Sequence, residues 1–410
     1  MSRVETTTNF RDNNGTDLGK KLVTKDYLIS VYPEIGQKIG IPPELWIWGG
    51  GSNNQLGNAK TTNSSTPVTT FSGGTNWKQV SGGFFCTAAI KTDGTLWTWG
   101  YSSAVGVLGI NATTGRSTPV TTFAGGNNWK QVSCGGAHMT AIKTDGTLWV
   151  WGWVGRGQLG NGTISQNKLT PVTTFAGGNN WKQVSCGQYY TAAIKTDGTL
   201  WVWGGGSDSQ LGNAKTTDVS TPVTTFAGGT NWKQVSCGGL HTSAIKTDGT
   251  LWTWGFGNEG RLGNAKTTNS STPVTTFAGG TNWKQVSCGG IHTSAIKTDG
   301  TLWTWGRPYS GELGINSSGG PPRSTPVTTF SGGTNWKQVS CPIQRSYTSA
   351  IKTDGTLWTW GDGSDGRLGN AVTTNRSTPV TTFAGGNNWK QVSSGYTHIA
   401  AIQSVDFSPF

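Results

Sequence analysis

The chain has 410 residues, 33% hydrophobic and only 12% charged, with 64 glycines, 22 tryptophans and a formal net charge of +12. So few charges exclude a solvated, disordered polymer, and so many glycines with few helix formers favour an all-β chain rich in turns. No apolar run approaches the roughly 18 residues of a membrane helix, and the N-terminus lacks a basic-then-apolar signal peptide, so neither a membrane span nor secretion is expected.

In chain order, residues 1–44 come first. They carry six basic and six acidic side chains, so the positive surplus belongs to the rest of the chain. Thr24 is placed to cap a short helix holding Tyr27, Leu28 and Val31, which Pro33 ends. So small an amphipathic element cannot fold alone, and it is expected to pack on a partner or on the rim of the following domain.

From Leu45 onward the chain repeats itself every 51 to 55 residues. The pattern Trp-x-Trp-Gly begins at Trp46, Trp97, Trp149, Trp201, Trp252, Trp303 and Trp358. Asn-Trp-Lys-Gln-Val-Ser places its tryptophan at Trp77, Trp129, Trp181, Trp232, Trp283, Trp336 and Trp389. These account for 21 of the 22 tryptophans, leaving Trp153 outside the frame. One repeat reads as four strands. Thr87–Ile90 is short and apolar. Asp93-Gly94 then supplies the positive φ angles of a tight hairpin turn. Leu96–Gly100 alternates, with Trp97 and Trp99 on one face. After a long Gly- and Asn-rich loop come Thr118–Phe123, with Pro119 at its start, and Trp129–Ser133. Seven groups of four short antiparallel strands predict a seven-bladed β-propeller, with a linear solenoid as the alternative.

The ends predict closure. The chain enters the frame at Leu45–Gly49 without a preceding first strand and leaves at Ile399–Ile402 without the Asp-Gly turn that should follow. Pairing of these two strands completes the ring and leaves no open edge. The expected organisation is an attachment segment over 1–44, a propeller over 45–404 and a tail over 405–410.

The repeated residues Val-Ser-Cys-Gly-Gly-x-His-Thr-x-Ala-Ile, Asp-Gly-Thr-Leu-Trp-x-Trp-Gly and then Gln-Leu-Gly or Arg-Leu-Gly resemble the regulator of chromosome condensation repeat. The resemblance covers 45–403 and implies a seven-bladed propeller. It also points to a cellular regulator of exchange-factor type, acting on a small GTPase. A second resemblance lies in Gly15–Gly19, Val23–Leu28 and Val31–Pro33, which are similar to the openings of virion proteins in tailed phages of marine bacteria. It implies attachment to a particle through Leu18, Val23, Tyr27, Leu28, Val31 and Tyr32.

The chemistry-bearing residues fall into repeat slots. His138, His241, His292 and His398 share one slot, filled elsewhere by Cys86, Tyr190 and Tyr347. Equivalent slots on different blades are not expected to converge on one ion, so a structural role is expected and no metal site. Cys134, Cys186, Cys237, Cys288 and Cys341 share another slot, which reads as copying, free buried thiols and a reducing compartment of synthesis. The Asp-Gly aspartates are explained by turn chemistry. No unique acid pair or nucleophile beside a base stands out, so neither catalysis nor a cofactor is expected. The repeated lysines read as a solvated rim rather than a nucleic-acid groove.

Comparing the repeats with one another shows two variable stretches, one after Trp-x-Trp-Gly and one before the first apolar strand. Hairpin direction puts both at the end opposite the Asp-Gly turns. Phe84, Phe85, Tyr101, Trp153, Arg156, Tyr189, Tyr190, Phe256, Arg307, Tyr309, Arg345 and Tyr347 are therefore expected to form a recognition face. The resulting expectation is a non-enzymatic virion structural protein, a tail, baseplate or capsid appendage made in the host cytoplasm. Its partners would be other virion proteins and a host receptor or glycan, without specific nucleic acid. The alternatives are the small-GTPase regulator and a carbohydrate-binding lectin.

Overall fold

A computed structural model describes residues 41–71 and 76–405. Within these residues seven four-stranded antiparallel sheets follow one another around a ring. The first blade is typical, running from Trp77–Gly82 through Cys86–Lys91 and Leu96–Gly100 to Arg116–Thr121. The strand bearing Trp-Lys-Gln-Val-Ser is innermost in every blade, because consecutive copies lie against each other around the channel. Sequence reading placed Trp129–Ser133 as the last strand of the unit that begins at Thr87. It is instead the first strand of the next blade. The Ala-Gly-Gly-Asn-Asn segment crosses between blades and does not turn back within one. The outermost strands carry Pro67, Pro119, Pro171, Pro222, Pro273, Pro326 and Pro379, which fits an edge with no further strand to bond.

The ring closes as expected. Ile41–Gly49 pairs with His398–Val405, with Leu45 opposite Ile402 and Gly49 opposite His398. The last blade is thus built from both ends of the chain, in the order Ser64–Thr69, Ile41–Gly49, His398–Val405, Trp389–Ser394. The first strand starts at Ile41, and its register shifts between Ile41 and Glu44, where Pro42 and Pro43 have no N–H to donate. Residues 1–40 and 406–410 lie outside the described residues, and with them the expected helix and all of the expected attachment segment except residues 41–44, which belong to the first strand.

The inner edges of the blades are closed by side chains. Gln131 donates to Val184 O at 3.1 Å and accepts from Val184 N at 3.1 Å, imitating a strand pair across the blade boundary. The same exchange occurs at all seven boundaries, ending with Gln391 on Val80. One step along, each serine hydroxyl accepts the next blade's N–H, as Ser81 does from Cys134 at 3.0 Å. Buried backbone groups left unpaired would be costly, and these two residues remove that cost at the channel.

Tryptophan fills the space between blades. The second tryptophan of each Trp-x-Trp-Gly is buried, and its indole N–H donates to a carbonyl of the preceding blade's loop, as Trp99 does to Gln55 O at 2.9 Å. Burying such a ring is worth on the order of 4–6 kcal/mol from its area alone. The first tryptophan is held within its own turn. Asp93 accepts from the Thr95 N–H and hydroxyl, and Thr95 accepts from Trp97 Nε1 at 2.9 Å. The closing blade lacks Asp-Gly-Thr, and there Trp46 Nε1 has no hydrogen-bond partner among the described residues.

Candidate protein-recognition face

The residue after each Trp-x-Trp-Gly donates its N–H to the segment preceding the second strand of the same blade. Tyr101 N to Phe85 O (2.8 Å), Trp153 N to Ala137 O (2.9 Å) and Phe256 N to Leu240 O (2.9 Å) are examples, and each of the seven blades has its own. The glycine before it makes this possible: Gly100 has φ +110°, and a Cβ there would lie 2.4 Å from Phe85 O. The two variable stretches therefore share one end of the ring. The Asp-Gly and Ala-Gly-Gly turns share the other, where Trp129 N donates to Gly94 O and Thr144 N to Asn128 O.

Of the sequence-predicted residues, the structure gathers one group around the channel mouth. Phe84 stacks on Tyr396 at 3.9 Å and 13°, Phe85 meets Phe84 edge-on at 4.8 Å, and Tyr101 closes on Phe85 at 6.4 Å. Arg345 lies over the other aromatic of the stack, 4.0 Å from Tyr396. Phe84, Phe85, Tyr101 and Tyr189 line a hollow of about 230 Å³. Trp153 packs edge-on to Tyr189 at 5.2 Å, and Arg156 lies 5.8 Å from the same ring and 3.7 Å from Asp218. A second hollow of about 280 Å³ is lined by Phe256 with Arg261, Ile343 and Gln344. Arg307 and Tyr309 form a separate pair at 3.7 Å, with Arg307 also paired to Glu259.

Tyr190 and Tyr347 do not belong to this face. Both are fully buried, and their hydroxyls donate to His241 O and His398 O of the next blade at 2.6 and 2.8 Å. They are the first residues of their strands, so alternation turns them between blades while Tyr189 stays outside. Tyr396 was missed, although it fills the last repeat's copy of the variable stretch. Arg261 was missed because it occupies the Gln-Leu-Gly slot, which looked like framework.

The four histidines are latches. His138 Nε2 meets Thr191 Oγ1 of the next blade at 2.9 Å, and His241, His292 and His398 meet Thr293, Thr348 and Thr87 in the same way. Burial holds His138, His292 and His398 down to about 3, so they are neutral. The six thiols are free and buried, with Cys186 pushed up to about 12 by desolvation. Among the described residues no group of His, Cys, Asp or Glu side chains could hold a metal ion. No described helix is long and apolar enough to cross a membrane.

Among the described residues, Glu312 is the one fully buried carboxylate in the loops of this face. It accepts from Tyr309 N at 3.1 Å and Ser310 N at 2.7 Å, and desolvation pushes it up to about 7.

Residues 43–317 match the model of the RCC1-like domain, and residues 354–402 match the regulator of chromosome condensation (RCC1) repeat. The chain belongs to the RCC1-like family. Among its relatives is the ultraviolet-B receptor UVR8 of Arabidopsis thaliana, 30% identical over 81% of this chain and 76% of the receptor. The E3 ubiquitin-protein ligase HERC2 of Mus musculus is 27% identical over 91% of this chain, which matches only 8% of the ligase's length. Among solved structures, yeast RCC1 (Prp20) bound to Kap60 superposes with a TM-score of 0.77 at 18% identity, covering 98% of this chain and 97% of that one. Human WBSCR16 superposes with a TM-score of 0.76 at 19% identity, covering 88% and 98%. At these identities the structural likeness speaks to the RCC1-like fold. None of these relatives lends support to the virion placement expected from residues 15–33.

Proposed function

We propose that the chain is a non-enzymatic recognition propeller that docks a partner protein on its variable-loop face. The contrast between the two ends of the ring carries this reading. One end repeats the same Asp-Gly and Ala-Gly-Gly turns. The other gathers non-repeated aromatics and arginines in stacks, the residue types that dominate binding hot spots. The relatives favour a regulator over a virion component. Prp20p of Saccharomyces cerevisiae binds Gsp1p and histones, and its structure is also known with Kap60 bound. A regulator of exchange-factor type acting on a small GTPase is the finer form of the proposal.

Tyr101 and Tyr309 are exposed aromatics of the face, at 48% and 54%. The variant Tyr101→Ala/Arg307→Ala/Tyr309→Ala is expected to keep its melting temperature within a few degrees and to lose cross-linked partners that the parent captures. Capture of the same partners by both chains would sink the docking face. Accelerated nucleotide release from a small GTPase, absent in the variant, is the expected result for the finer reading.

A further inference from the structure

Two lysines recur in each repeat, and the fold sends them to different places. The lysine of Lys-Thr-Asp-Gly lies against its own blade's tryptophans. Lys143 Nζ sits 4.8 Å from the Trp129 ring and 4.5 Å from Trp149, and all six such lysines do the same. They are also the charges beside the turn aspartates, as Lys143 is beside Asp145. These charges are committed to the fold.

The lysine of Trp-Lys-Gln is placed otherwise. It is the second residue of each innermost strand, at the Asp-Gly end, where the register shifts between tryptophan and glutamine. Such a bulge frees one residue from the ladder. In all seven blades that residue is exposed. Seven cations therefore encircle one mouth of the channel, directly outside the glutamine belt. Lys78, Lys130, Lys182, Lys233, Lys284 and Lys337 have no ion pair or ring contact among the described residues. Like charges in a closed ring sum to a strong local potential, and these six lysines have no paired carboxylate to neutralise it.

We propose that this ring binds a compact polyphosphorylated anion at the channel mouth. Lysine binds phosphate as a compact point charge without the fixed fork geometry of arginine, so several lysines in a ring can share one polyanion, and no arginine occupies the repeated slot. A circle of charges matches phosphates arranged about a small centre. A straight duplex would meet only part of it. The site is at the opposite end from the docking face and stands independently of it.

Isothermal titration of the whole chain at physiological salt tests the proposal, with inositol hexakisphosphate, linear tripolyphosphate and orthophosphate as probes. One site per chain is expected, roughly tenfold or more tighter for a polyphosphate than for orthophosphate, and weakening steeply with salt. Preference for the hexakisphosphate assigns a cyclic ligand, and preference for tripolyphosphate a linear one. Lys130→Gln/Lys233→Gln/Lys337→Gln is expected to weaken binding at least about tenfold, while Lys143→Gln/Lys246→Gln/Lys352→Gln leaves it nearly unchanged. Lysine acylation footprinting of the unaltered chain gives a readout that needs no variant, with Lys130 protected by ligand and Lys143 not. Equal loss in both triple variants, absent protection, or DNA duplex binding as tight as the hexakisphosphate would overturn it.

Discussion

At the residue scale, the hydroxyl of each latching threonine determines its histidine's tautomer. Thr191 Oγ1 donates to Gln158 O at 2.9 Å, so it must accept from His138 Nε2–H. The Nδ1 lone pair then faces no donor, as at His241, His292 and His398. Protonation would bury a cation. Because the folded value of about 3 lies below the ordinary 6.5, the unfolded chain takes up the proton first. Stability is expected to fall as pH drops from 6.5 toward 3, because the unfolded chain takes up protons that the buried histidines refuse. His138→Gln keeps an amide donor for Thr191 and does not titrate, so its melting temperature should fall less between pH 6.5 and 4. A parallel fall in both proteins would refute the latch as the source.

Glu312 has the opposite sign. Its carboxyl is raised from 4.5 to about 7, so the folded chain holds the proton more tightly and stability is lost as pH rises through that window. The same loop position is Gln55, Gln158 and Gln210 in other blades. Glu312→Gln should therefore gain on the parent between pH 4.5 and 7 by up to roughly 3 kcal/mol, then run parallel above it. Chemical denaturation at four pH values reads this directly, and a constant difference would count against it.

At the element scale, the innermost strand depends on its glutamine more than on its own ladder partner across the channel, since it has none. Gln183→Leu removes both the acceptor for Val235 N and the donor to Val235 O. A loss of about 2–4 kcal/mol in urea unfolding is expected, and a loss below about half a kcal/mol would show that water replaces the amide. The hairpins were legible in the sequence because Asp-Gly has one local use. The order of strands within a blade was only partly legible. Pro119 and its copies marked an edge, but the Ala-Gly-Gly segment reads equally as a hairpin or a crossover. Nothing local in Trp-Lys-Gln-Val-Ser assigns a role to its glutamine and serine, because their partners lie in another blade.

At the scale of the whole molecule, the ring is held shut by one strand. His398–Val405 lies between Trp389–Ser394 and Ile41–Gly49, joining the two ends of the chain. A chain ending at Ser394 is expected to expose both neighbouring edges and to elute as aggregate with red-shifted tryptophan emission. A chain ending at Val405 keeps every described strand and should elute and fluoresce as the full chain does. Equal behaviour of the two would mean that the ring does not need its closing strand.

The sequence by itself determined the number of blades, the strands, the Asp-Gly hairpins and the closure, because these follow from a repeated local pattern and from the half-repeats at its two ends. It also placed the variable loops at one end, since a hairpin's direction is a local property. Tertiary structure alone decided what depends on the neighbouring blade. It turned Tyr190 and Tyr347 inward as inter-blade contacts, and it stacked Tyr396 on Phe84 across the closure. It also separated two sets of lysines that look alike in sequence, laying one on tryptophan and leaving the other around the channel. Alternation along a strand specifies which side chains share a face. It does not specify what that face meets, and in a ring of near-identical units that is settled only when the units close on one another.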